Sequence, residues 1–95
     1  MYFLRYEVLP KSNATKLKDF GNTIALCWIR QAIQANADLQ ARISIEEAGW
    51  EICYLEEAYP VTREDYQPDH PAQGFCDIAE QKGERIVFVT VPKKD

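Results

Sequence analysis

Thr23-Ile24-Ala25-Leu26-Cys27-Trp28-Ile29-Arg30 is the stretch whose reading decides the fold. Ile24, Leu26 and Trp28 alternate with Ala25, Cys27 and Ile29, so an extended segment here is apolar on both sides. A helical reading competes with it, because Leu17, Phe20, Ile24 and Trp28 recur at helical spacing. Periodicity alone does not separate a doubly buried strand from a buried helix. Gly21 lies inside the longer helical pattern and weakens it by about 1 kcal/mol relative to alanine. Residues 23–30 are therefore read as a strand.

Upstream, Tyr2, Leu4, Tyr6 and Val8 alternate with Arg5 and Glu7 and end at Pro10, the period-two pattern of a strand. Residues 11–22, with three lysines and Gly21, read as a loop. Downstream, Asn36 is read as a helix N-cap and Asp38 as an acid of its first turn. Leu39, Ile43 and Ala48 form the expected inward stripe, with Gln40, Arg42, Glu46 and Glu47 outward and Gly49 as the left-handed stop. Residues 50–57 read as a strand bounded by Pro60. Thr62 opens a short helical turn over Glu64 and Asp65. Pro71 starts a second helix that buries Phe75, Cys76 and Ala79 and closes on Gly83. The last strand, 84–92, puts Ile86, Phe88 and Thr90 on one face and Val87, Val89 and Val91 on the other. The expectation is one α+β domain over 1–95: a single four-stranded, largely antiparallel sheet with two helices on one face.

That arrangement has a functional consequence. Two helices cover one face of such a sheet and leave the other bare, yet the second and last strands are apolar on both faces. A bare apolar face marks an interface, so the sequence predicts a homo-oligomer, most simply a dimer.

Charge narrows the partners. The net charge is −4, and residues 51–80 hold eight acids against one base, Arg63, a net of −7. Such a segment repels phosphate backbones and favours a basic protein, so no nucleic acid is expected as partner. Glu56, Glu57, Glu64, Asp65 and Asp69 are the candidate residues of this acidic surface. No apolar run approaches a membrane span, and no signal-peptide pattern is read at residues 1–10. Three scattered cysteines, Cys27, Cys53 and Cys76, fit a reducing, cytoplasmic setting.

Side chains with catalytic potential do not form a recognisable set. Glu64, Asp65, Asp69 and His70 lie close in sequence but match no metal-binding spacing, and acids are expected at helix starts. His70, the sole histidine, could pair only with one of the three thiols, and those read as buried hydrophobes. Ser12 and Ser44 lie in no nucleophile motif, and the isolated glycines cradle no phosphate. No catalytic residue, metal site or cofactor is expected. Trp28, Trp50 and Tyr54 are the candidate lining of an aromatic ligand pocket.

Cys27-Trp28-Ile29, Gly49-Trp50, Val61-Thr62-Arg63-Glu64-Asp65-Tyr66, and a final helix closing on Gly83 before Ile86-Val87-Phe88 form a pattern over residues 2–92. In these features the chain resembles a family of short uncharacterised bacterial proteins of the kind carried on mobile gene cassettes. The resemblance implies a strand at 23–30 and implies no activity. It also implies His and Trp near the positions of Val89 and Val91, which this chain lacks.

The leading expectation is a non-enzymatic, self-associating interaction module with an acidic surface, of which an immunity or antitoxin-like protein is one form. The alternatives are a small-ligand binder using the aromatic pocket, and a small enzyme using Asp65, Asp69 and His70.

Overall fold

Residues 1–11 and 22–91 are described by a computed structural model. Strand β1 (Tyr2–Pro10) lies at the centre, antiparallel to both β2 (Asn22–Ile29) and β3 (Trp50–Pro60). Strand β4 (Glu84–Val91) pairs antiparallel with β2, giving the order β3-β1-β2-β4. The deciding stretch is thus a central strand with a neighbour at each edge.

Helix α1 (Gln34–Glu47) links β2 to β3, and α2 (Pro71–Lys82) links β3 to β4. They do not share a face. Ala37, Ala41 and Ile45 of α1 pack on Leu4, Tyr6, Val8, Ala25, Cys27 and Ile29, with Ile86 and Phe88 beside them. Ala72, Cys76 and Ala79 of α2 pack on Phe3 and Trp28, with Leu26 and Val87 beside them. The expectation of two helices on one face is corrected here, and the alternation of β2 and β4 supplies the reason. Each apolar face of these strands is met by one helix, so neither is left wholly bare. Val87 packs beneath α2, while Val89 further along the same face stays exposed.

The reading of α1 also changes. The helix starts at Gln34 with Ile33 as its N-cap residue, so Asn36 is not the cap and Asp38 lies beyond the first turn. Leu39 and Ile43 point outward, 60% and 50% exposed, and the buried row is Ala37, Ala41 and Ile45. Two alanines in that row let the helix lie close over the bulky ring of Tyr6. The Tyr6 hydroxyl donates to Asp38 Oδ1 at 2.5 Å, and Arg42 Nε donates to the same oxygen at 3.0 Å. Ala48 is the exposed C-cap residue, and Gly49 follows with φ +96°, the left-handed conformation expected of the stop.

Strand β3 runs on to Pro60, and its register with β1 shifts twice, leaving Glu56 and Cys53 as the extra residues. The turn after it forms as expected: Arg63–Asp65 is a single 3-10 turn, and the Thr62 backbone N–H donates to Asp65 Oδ2 at 2.8 Å. Helix α2 begins at Pro71 and ends on Gly83, φ +94°. Of the expected loop 11–22, residues 12–21 lie outside the described residues, as does the tail from 92. Among the described residues no helix is long and apolar enough to cross a membrane.

Candidate partner-binding groove

Phe3, Trp28, Tyr59 and Phe75 reach one region from four elements. Register brings the first three together: Phe3 lies opposite Trp28 on one side and Tyr59 on the other, so all three project from the α2 face. Phe3 and Trp28 have ring centroids 5.2 Å apart, as do Phe3 and Tyr59; Trp28 and Phe75 are 4.9 Å apart. Each pair is tilted, the arrangement that aromatic quadrupoles favour. The Trp28 indole N–H donates to the Tyr66 hydroxyl at 3.1 Å, and the Tyr66 ring stacks on His70. Together with Leu26, Ala72, Arg5 and Glu57 these rings line an open groove of roughly 320 Å³.

The Trp28–Tyr66 hydrogen bond joins the groove floor to the α2 approach. Tyr66→Phe leaves the buried indole N–H without that partner, and a loss of about 1–2 kcal/mol in urea unfolding is the expected result.

The three aromatic residues singled out from the sequence are not gathered in one pocket. Trp28 lies in the groove floor. Trp50 stacks on Phe88, centroids 5.0 Å apart, on the opposite face beneath α1. Tyr54 projects outward from β3, 53% exposed. A hydrogen bond to Glu7 and the charge of that carboxylate, with Glu56 nearby, push the Tyr54 phenol up to about 12. Phe3, Tyr59, Tyr66 and Phe75 were not assigned to a pocket. Phe3 shares its strand face with Arg5 and Glu7, which made that face look polar, and Tyr59 joins it only through the β1–β3 register.

The acids divide by role. Glu56 accepts from Arg5 Nε at 2.7 Å, and Asp65 is engaged by Thr62. Glu57, Glu64 and Asp69 are exposed, and of these Glu57 lies in the wall of the groove. Arg63 pairs with Asp77 at 2.9 Å on the surface.

His70 Nδ1 accepts the Ala72 N–H at 3.0 Å, so the imidazole serves as the N-cap of α2. Burial raises all three thiols: Cys27, also facing Glu84, reaches about 12, and the carboxylates of Glu7 and Glu51 add to the effect at exposed Cys53. Thiols so placed stay protonated near neutrality and are poor nucleophiles. Among the described residues no three His, Cys, Asp or Glu side chains converge as a metal site.

Fold and groove together define a small α+β domain with an aromatic groove that carries the Glu57 carboxylate. Models of known protein families, curated proteins and solved structures give no match to the chain.

Proposed function

We propose that the protein is a non-enzymatic interaction module that receives a basic side chain of a protein partner in the aromatic groove. The observation that carries this reading is Glu57, an exposed carboxylate in a groove lined mainly by aromatic rings. A cation over an aromatic face gains about 0.5–2 kcal/mol, and a carboxylate beside it adds charge complementarity. Arg5, the cation in the wall and opposite Glu57 in the register, is held by Glu56, and Glu57 is in no ion pair among the described residues. The net −7 of residues 51–80 steers a basic protein toward this side, as an immunity-type protein masking a cationic partner requires.

The test uses Trp50→Phe, which leaves Trp28 in the groove floor as the sole tryptophan. Titration with an Arg- and Lys-rich peptide is expected to change its fluorescence, and the affinity is expected to fall steeply with salt. Tyr59→Ala and Glu57→Gln are each expected to weaken binding about three- to thirtyfold. An equal response to a glutamine-substituted peptide would remove the charge from the reading and favour the small-ligand alternative. No response at any concentration would remove the groove as a binding site.

A further inference from the structure

Helix α1 is apolar on two opposite sides. Its inward row is Ala37, Ala41 and Ile45, and its outward side carries Leu39 and Ile43, with Ile33 exposed at its start. Two of the three large aliphatic side chains of the helix, Leu39 and Ile43, thus face away from the core, and Ile45 faces it. An apolar row that faces away from the core is surface left for another element to cover. Beside this outward row Gln31, Asn36, Gln40 and Ser44 complete the lining of a shallow groove, a neutral border. Gln31 Nε2 donates to Gln40 Oε1 at 2.8 Å, and Gln40 Nε2 and Ser44 Oγ both donate to Glu84 Oε1 at 2.9 Å, which fixes that border in place. Arg42, the one cation of the helix, is held by Asp38 and lies over the Tyr6 ring, so no free cation interrupts the row.

The ends of the helix select the occupant. At the N-terminus Ile33 offers no side-chain cap and the first turn holds no acid. At the C-terminus stand two exposed acids, Glu46 and Glu47, neither in an ion pair among the described residues, while Lys11 Nζ meets the Glu46 carbonyl at 3.0 Å. Helix dipoles favour anions at the N-terminus and cations at the C-terminus, so this helix lacks the first and carries acids where they are disfavoured. A second copy of α1, antiparallel across a two-fold axis, corrects both at once. Leu39 and Ile43 are centred on residue 41, close to the middle of Gln34–Glu47, so Leu39 of one copy meets Ile43 of the other. The same register sets Glu46 and Glu47 against the uncapped N-terminus of the second copy. A parallel pairing would instead bring the acids together.

From this we infer that the protein forms a two-fold dimer through antiparallel packing of α1 on α1, with Leu39 and Ile43 as its apolar centre. The surface differs from the sheet face to which the sequence pointed, and it lies on the opposite side of the sheet from the aromatic groove. The dimer therefore stands independently of the function proposed for that groove.

Light scattering after size exclusion, over a range of concentrations, tests it on the full chain. The wild type is expected at twice the chain mass, with dissociation on dilution. Leu39→Glu and Ile43→Glu are expected to be monomeric with unchanged circular dichroism, because both side chains are exposed in the single chain; Val89→Glu, on the other side of the sheet, is expected to leave the dimer intact. Glu46→Lys with Glu47→Lys separates antiparallel from parallel pairing. It is expected to weaken the dimer about tenfold or more while leaving the monomer as stable or more so, since cations suit the C-terminus of their own helix. A wild type monomeric at its highest soluble concentration overturns the inference, as does a dimer that survives Leu39→Glu and Ile43→Glu combined. A dimer tightened by the two lysines overturns the antiparallel register.

Discussion

Ile45→Ala is expected to destabilise the protein by about 3 kcal/mol, and Ile43→Ala, two residues away on the same helix, by no more than about 0.5 kcal/mol. Ile45 is fully buried against the β1–β2 centre of the sheet, and its truncation leaves a cavity between α1 and the strands. Helix and sheet close such a gap only in part, so the lost transfer free energy and the lost packing add. For a chain of this size the melting temperature should fall by about 12–24 °C. Ile43 is half exposed, and its truncation removes few contacts within the chain. Urea unfolding of both variants at low protein concentration, where association contributes least, reads the difference. Equal losses at the two positions would mean that α1 is rotated about its axis relative to the arrangement described here.

The contrast between these isoleucines also shows where sequence patterning reaches its limit. In the strands, side chains alternate strictly, so Ile86 and Phe88 could be assigned to one face and Val87 and Val89 to the other without knowing the neighbours. Elements bounded by strong local chemistry were equally legible: Pro71 at the start of α2, Gly83 and Gly49 at positive φ, Thr62 before its turn. Helix α1 offered two apolar rows instead of one. Side-chain size drew the reading toward Leu39 and Ile43, but the depth at which a helix seats depends on what lies beneath it. Here Tyr6 occupies that space and alanines complement it. The placement of α2 on the far face was legible in principle from the two-sided strands, which demand two covers.

The groove shows the same division. Trp28 was identifiable because it stands in an unmistakable apolar strand. Its companions were not, because Phe3, Tyr59, Tyr66 and Phe75 come from separate elements that only pairing and docking unite. Trp50 and Tyr54 do not join Trp28 in the groove. Trp50 faces α1 and Tyr54, opposite Glu7, lies on the other face of the sheet: strict alternation would put residues 50 and 54 on one face, and the bulge at Cys53 reverses it.

Stability is expected to be flat through neutral pH and to fall above about pH 9. Burial, with Glu84 nearby, pushes the Cys27 thiol up from 9.0 to about 12. Burial, then the hydrogen bond to Asp38, raises the Tyr6 phenol well above its usual 10.0. Both groups hold their protons more tightly folded than unfolded. Their contribution is fully present below the unfolded values and is lost as pH rises toward the folded ones. Between about pH 9 and 11 Cys27 alone should remove about 2 kcal/mol, the slope approaching roughly 1.4 kcal/mol per pH unit once the unfolded thiol is ionised, and Tyr6 should add to the loss above about pH 10. Urea unfolding at pH 7, 9, 10 and 11 measures the slope. Cys27→Ala should be less stable at pH 7, through its cavity, yet lose stability more slowly between pH 9 and 10. Part of the slope should remain, because the Cys53 and Cys76 thiols are raised as well. An unchanged slope in Cys27→Ala would show that this thiol ionises as readily folded as unfolded. The interior between α1 and the sheet would then be wetter than the packing of Cys27 among Leu4, Ala25 and Ile29 requires.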